Sequence, residues 1–164
     1  ITEALLKLLE AYPEIRLVIA GPLLLDDRFA SFHERIERLP FASRRQHFKN
    51  LATLDINLAP LEVGAPFCEG KSELKWFEAG VLGVPTVAAA TETFREAIRD
   101  GVDGFVAHER DEWYAKLERL IQDPVLRKTM GEEARKTVLD EYVTQVNDNQ
   151  AYYDFLHGAI TRNS

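Results

Sequence analysis

Asp55-Ile-Asn-Leu-Ala-Pro60, Gly64-Ala-Pro-Phe-Cys-Glu-Gly-Lys71-Ser72, Glu73-Leu-Lys-Trp-Phe-Glu78-Ala-Gly80 and Gly83-Val-Pro-Thr-Val-Ala88 follow one another in the middle of the chain. The first run is short, apolar and closed by proline, as a buried strand would be. A glycine-bounded loop follows, and from Ser72 to Leu82 the sequence reads as a helix. Pro85 to Ala90 is again a continuous apolar run, the next strand. Strand, loop, helix and strand in that order form the repeating unit of a parallel α/β sheet.

The same alternation extends outward. Ala4, Leu5, Leu8, Leu9 and Tyr12 share one helical face, and Pro13 stops that helix. Ile15 to Ala20 is an apolar strand closed by Gly21-Pro22. A helix over Asp27 to Glu34 and a strand over Ile36 to Leu39 follow, and Ser43 caps a helix bearing Phe48, Leu51 and Leu54. Downstream, Thr91 is expected to cap a helix that runs to Ile98, and Asp100-Gly101 and Asp103-Gly104 read as turns around Phe105-Val106. Trp113, Leu117, Leu120 and Ile121 line a helix. Asp123-Pro124 starts another through Met130, Ala134 and Val138, and a last helix is expected from Val143 to His157. The expected class is therefore α/β: one domain over residues 1–164, a Rossmann-like open parallel sheet with helices on both faces and a helical C-terminal tail. Such sheets bind ligands at the carboxyl ends of their strands, here the loops after Ala20, Leu39, Pro60 and Ala90.

Bulk properties narrow the choices of partner. A chain of 164 residues suffices for one full core. A net charge of −7 and a pI near 5.2 disfavour a generic nucleic-acid face. No apolar run reaches the roughly 18–20 residues of a transmembrane span. The single cysteine, Cys68, leaves no intramolecular disulfide and suits a reducing, cytoplasmic setting. The four histidines stand apart, with no H-x-x-x-H, C-x-x-C or D-x-D spacing, so neither metal nor cofactor is expected.

In the expected helix, Lys71, Lys75 and Glu78 fall at i, i+4 and i+7, within about 60° of one another. They form one polar stripe beside an apolar stripe of Leu74, Phe77 and Val81. Lys71 adds an ammonium to the free N–H groups and positive dipole of the helix start, a combination suited to phosphate. Glu78 lies roughly 10 Å further along at about 1.5 Å per residue. That separation fits an anionic centre followed by a hydroxylated ring, as in a nucleoside diphosphate; a solvated Lys–Glu face is the plainer alternative. Gly70-Lys71-Ser72 does not complete a P-loop, because five residues rather than four separate Gly64 from Gly70.

With these residues in view, Glu69-Gly-Lys-Ser-Glu-Leu-Lys-Trp-Phe-Glu-Ala-Gly-Val-Leu-Gly-Val-Pro-Thr-Val-Ala88 resembles the donor-binding motif of group 1 glycosyltransferases of the GT-B fold. Phe94-Arg-Glu-Ala-Ile98, Gly101-Val-Asp-Gly-Phe-Val106, Gln122-Asp-Pro124 and Met130-Gly-Glu-Glu-Ala-Arg135 are similar to that family's next landmarks, in order. The resemblance implies the C-terminal, donor-binding half of a two-domain hexosyltransferase that takes a UDP-, GDP- or TDP-linked sugar. It implies that Glu78 holds the ribose hydroxyls and that Gly70, Lys71 and Ser72 meet the diphosphate. Lys71 would stabilise the leaving group, and Phe41 and Ala42 would meet the nucleobase. The family's first glutamate corresponds to Gly70, with Glu69 one step before it, while Lys71-Ser-x-x-Lys75 resembles one branch of the family. The chain opens at Ile1 and resembles a fragment: the family's first strand, with its basic Arg and Lys, and the acceptor domain are expected ahead of it. Alone it is expected to bind nucleotide weakly without turnover. A non-catalytic, flavodoxin-like binding or regulatory module is the alternative.

Overall fold

The computed structural model describes residues 1–142 of the chain. Strands and helices alternate as α1 (Thr2–Ala11), β1 (Leu17–Ala20), a 3-10 segment (Asp27–Arg35), β2 (Ile36–Leu39), α2 (Arg44–Leu51) and β3 (Asn57–Ala59). Next come α3 (Pro66–Glu69), α4 (Leu74–Gly80), β4 (Thr86–Ala89), α5 (Glu92–Ala97), β5 (Phe105–Ala107), α6 (Arg110–Gln122) and α7 (Pro124–Glu141). All pairing is parallel, and the expected α/β class holds. The strands form two ladders, β1-β2 and β3-β4-β5, with Leu17 opposite Ile36, Asn57 opposite Thr86 and Val87 opposite Phe105. The helix expected from Val143 to His157 lies outside the described residues.

β4 is the centre, with every residue from Thr86 to Ala89 buried. A strand covered on both faces needs apolar side chains in both directions, which is why this run shows no alternation. On one face Ala4 and Leu8 of α1 meet Val87, Ala89, Phe105, Trp113, Leu117 and Leu120. On the other, Trp76 of α4 packs with Ala59, Ala88, Phe94, Ile98 and Val138. The helical pattern expected over Asp27–Glu34 is instead 3-10 geometry kinked at Phe32. Only Phe29 is buried there, so little packing rewards a regular α-helix. Arg28 ties the segment to Asp26 (2.8 Å) and to Glu3 of α1 (2.5 Å).

Asp103, which reads in sequence as a turn residue, is fully buried. Its carboxylate accepts from Arg99 N (2.8 Å), Arg99 Nε (2.7 Å) and Thr137 Oγ1 (3.0 Å), and its carbonyl accepts from Trp76 Nε1 (2.9 Å). A buried charge requires such partners. The cluster thereby couples α4, the end of α5 and α7.

Candidate functional site

The phase of α4 sets the site. The apolar stripe expected of Leu74, Phe77 and Val81 is not the buried one: Leu74 is 45% exposed, whereas Trp76, Ala79 and Gly80 are buried. The indole of Trp76 has the largest apolar area on the helix and an N–H that finds the Asp103 carbonyl, so it takes the inward position. Phe77 and Trp76 are also covered by Tyr142, whose ring lies 5.5 Å and 5.7 Å from theirs. Burial pushes the Tyr142 hydroxyl up to about 12. With this rotation Glu78 points to the seam between α4 and α2, and its side chain retains only 16% exposure.

At that seam His47 Nε2–H donates to Glu78 Oε2 at 3.2 Å. His47 lies in the first turn of α2, whose cap Ser43 accepts from Gln46 N and whose first backbone bond joins His47 N to Ser43 O. Leu51, Ala79 and Val84, flanked by Leu54 and Leu82, form the apolar cluster in this region. Phe41, 95% exposed, and the partly buried Ala42 immediately precede α2. The structure thus brings Glu78 together with the helix that follows the Phe41-Ala42 loop. His47 escapes sequence reasoning because 31 residues separate it from Glu78 and no motif marks it.

The Lys71 region differs from the sequence expectation. α4 begins at Leu74, so Lys71 and Ser72 lie in a break between α3 and α4 and the three-residue stripe shrinks to Lys75 and Glu78. The N–H groups of Gly70 and Lys71 are already used, donating to Pro66 O and Cys68 O at 3.2 Å each. Among the described residues, neither the N–H nor the hydroxyl of Ser72 makes a bond within the chain. The Lys71 ammonium rests 4.1 Å above the centre of the Phe67 ring, on an exposed surface.

Glu69 is held differently again. Its carboxylate accepts from Gly64 N (2.7 Å) and Glu92 N (3.0 Å), and these bonds hold its pKa below the ordinary value of 4.5. Thr91, expected to cap α5, leaves that task to Glu69: the threonine hydroxyl is buried and has no hydrogen-bond partner. Glu69 therefore staples the loop after β3 to the start of α5.

Gly70, Lys71 and Ser72 are exposed, whereas Glu69, His47 and Glu78 are partly buried. Two concavities lie away from these residues. One, of about 540 Å³, is lined by Lys7, Glu10, Ala11, Asp111 and Tyr114 between α1 and α6. The other, of about 270 Å³, is lined by Pro60, Leu61 and Val63 beyond β3 and by His108, Glu109 and Trp113. Among the described residues no cluster of three or more His, Cys, Asp or Glu could hold a metal ion. No helix among them is long and apolar enough to cross a membrane.

Comparison with known proteins adds kinship to this geometry. Residues 2–149 match the family model described as "Glycosyl transferase-like". Among curated proteins the chain is 29% identical over 139 residues to "Putative glycosyltransferase EpsD" of Bacillus subtilis (strain 168). That alignment covers 84% of this chain but only 36% of the relative's length. Among solved structures, HepE of Anabaena in complex with UDP superposes with a TM-score of 0.71 at 19% identity, over 96% of this chain and 44% of that one. The C-terminal domain of a group 1 glycosyl transferase (LpcC) from Francisella tularensis gives 0.65 at 22% identity, covering 88% of this chain and 78% of that domain.

Proposed function

Because this chain belongs to the glycosyl transferase-like family, with the fold of group 1 GT-B enzymes, we propose that it binds the nucleoside diphosphate sugar donor of a hexosyl transfer. The observation that carries this reading is the Glu78 carboxylate, held by His47 on the helix that follows the Phe41-Ala42 loop. A ribose has two vicinal hydroxyl donors, and an ionised carboxylate has two acceptor oxygens to meet them. Solved structures of HepE hold UDP and UDP-glucose, which supports a nucleotide-linked sugar here as well.

In this proposal Ser72 offers its unused N–H and hydroxyl to the diphosphate, and Lys71 swings from Phe67 to supply positive charge as the leaving group departs. Gly70 serves by its lack of a side chain: the nearest atom to a β-carbon placed there is Pro66 O at 3.7 Å, which leaves the approach open. Glu69 supports the loop in this scheme and does not read the sugar. Phe41 and Ala42 meet the nucleobase.

The proposal extends to the rest of the enzyme. Among the described residues, β1 and β3 each have a hydrogen-bonded neighbour on one side only. A parallel strand between them, carrying the expected Arg and Lys, would join both ladders into one sheet, and an acceptor domain would supply the other wall of the site. On this reading the 164-residue chain binds UDP, GDP or TDP weakly, roughly micromolar to millimolar, at −8 to −4 kcal/mol, and does not turn over. A cytoplasmic setting with a reduced Cys68 belongs to the same proposal. Calorimetric titration with the three nucleotides is the test. Binding of none, or steady release of nucleoside diphosphate from donor by this chain, would overturn it.

A further inference from the structure

We propose that His47 is a positioning residue for Glu78, fixing its carboxylate for the ribose and coupling it to the helix behind the nucleobase loop; this rests on the ribose role given to Glu78 above. Glu78 as a carboxylate can only accept, so the imidazole nitrogen facing it at 3.2 Å carries a hydrogen in either charge state of the ring. The neutral tautomer is therefore the one protonated at Nε2. One lone pair of Oε2 is engaged, while Oε1 and the second lone pair of Oε2 remain for two hydroxyl donors.

The arrangement is built for orientation more than for stability. The Glu78 side chain is 16% exposed and that of His47 is 41% exposed. A half-exposed pair of this kind contributes little to folding, but a carboxylate without its donor is free to rotate among its broad terminal torsions. The backbone N–H of His47 donates to the Ser43 carbonyl (2.8 Å), and its ring meets the Phe48 ring at a steep angle of 77° with centroids 5.8 Å apart. The Arg44 guanidinium lies 5.9 Å over that Phe48 ring. A shift of the Phe41-Ala42 loop would therefore reach Glu78 through α2 and His47. Base and ribose contacts become one unit that neither side chain provides alone.

The test compares His47→Ala, His47→Gln, Glu78→Ala and the His47→Ala/Glu78→Ala pair. Each is titrated with whichever of UDP, GDP and TDP the unsubstituted chain binds best, and with the matching nucleoside. His47→Ala is expected to raise Kd about three- to tenfold, the net worth of one ordinary hydrogen bond, because the carboxylate keeps its own ribose contacts and loses only its orienting donor. The factor should be the same for nucleotide and nucleoside, since the ribose is common to both. Gln presents an amide N–H where Nε2 stood, and His47→Gln should bind within about twofold of the unsubstituted chain. In the Glu78→Ala background His47→Ala should add nothing, because an effect routed through Glu78 vanishes with it. Unchanged binding by His47→Ala, a Gln variant as weak as the Ala variant, or additive losses in the double variant would each overturn the positioning role while leaving Glu78 as the ribose contact. Unchanged binding by Glu78→Ala, or no nucleotide bound at all, would remove the ribose reading and this inference with it.

Discussion

A β-carbon placed on Gly131 of α7 would lie 1.9 Å from the carbonyl oxygen of Gly83, in the turn that follows α4. No side chain fits there, so the backbone of α7 rests directly on the loop that ends the Glu78-bearing helix. Gly80 adds to the same crossing, where a β-carbon would meet Val138 Cγ2 at 3.0 Å. These two contacts fix how closely α7 approaches the end of the helix that carries Glu78.

Gly131→Ala should therefore destabilise the chain by about 2–3 kcal/mol, the cost of forcing atoms into a packed contact. Gly70→Ala, with open space around its β-carbon, should leave stability nearly unchanged. Urea unfolding measures both, and equal midpoints for the two variants would show that α7 yields freely to the added methyl.

Glu78→Ala should weaken nucleotide binding by about 1.5–3 kcal/mol, the range for hydrogen bonds to a charged group. Its effect on folding should stay under about 1 kcal/mol, because the pair with His47 is partly solvated. Calorimetry gives the first quantity and thermal unfolding the second. A large loss of stability would mean that Glu78 serves the α2–α4 seam.

Lys71→Ala should weaken binding of the nucleoside diphosphate but not of the bare nucleoside. The ammonium must first leave the Phe67 ring, a contact worth about 0.5–1 kcal/mol at an exposed site. The net loss should therefore be modest, about 1 kcal/mol at low ionic strength, and smaller as salt screens it. Titration at two salt concentrations checks this, and equal losses for nucleotide and nucleoside would confine Lys71 to a structural role.

Glu69 makes acid stability a readable signal. Its folded-state pKa lies below the ordinary 4.5, first through Gly64 N–H and then through Glu92 N–H. A carboxylate depressed on folding stabilises the folded state above its unfolded pKa, and that contribution fades as pH falls through the folded value. Glu69→Gln lacks this ionisation, so its stability should fall less steeply below pH 4.5 than that of the unsubstituted chain. Urea midpoints followed from neutral pH downward decide the point, and parallel curves would mean the staple carries no charge-dependent stability.

Much of the architecture was legible in local pattern. Val87, Ala88 and Ala89 read as a buried strand because no polar residue interrupts them, and a strand covered on both faces has no alternative composition. Asp123-Pro124 marked the start of α7, and in the structure Asp123 caps it by accepting from Leu126 N at 2.9 Å. Cap and proline act within a few residues of chain, so the sequence by itself determined them. The landmark order from Glu69 to Arg135 likewise carried the family.

The rotation of α4 was not legible, and the details of the site hang on it. Leu74 and Trp76 both belong on an apolar face, but successive residues differ by about 100° around a helix, and one seven-residue helix admits several apolar faces. Only the Asp103 carbonyl, supplied 27 residues away, draws Trp76 inward and leaves Leu74 out. The same holds for Glu69, drawn to an N–H 23 residues on, and for the Glu78–His47 pair. Local propensity decides which elements form; which side chains meet across them depends on loop closure and packing. That is why Glu78 could be picked out as a candidate from the sequence, while the histidine that holds it could be found only in the fold.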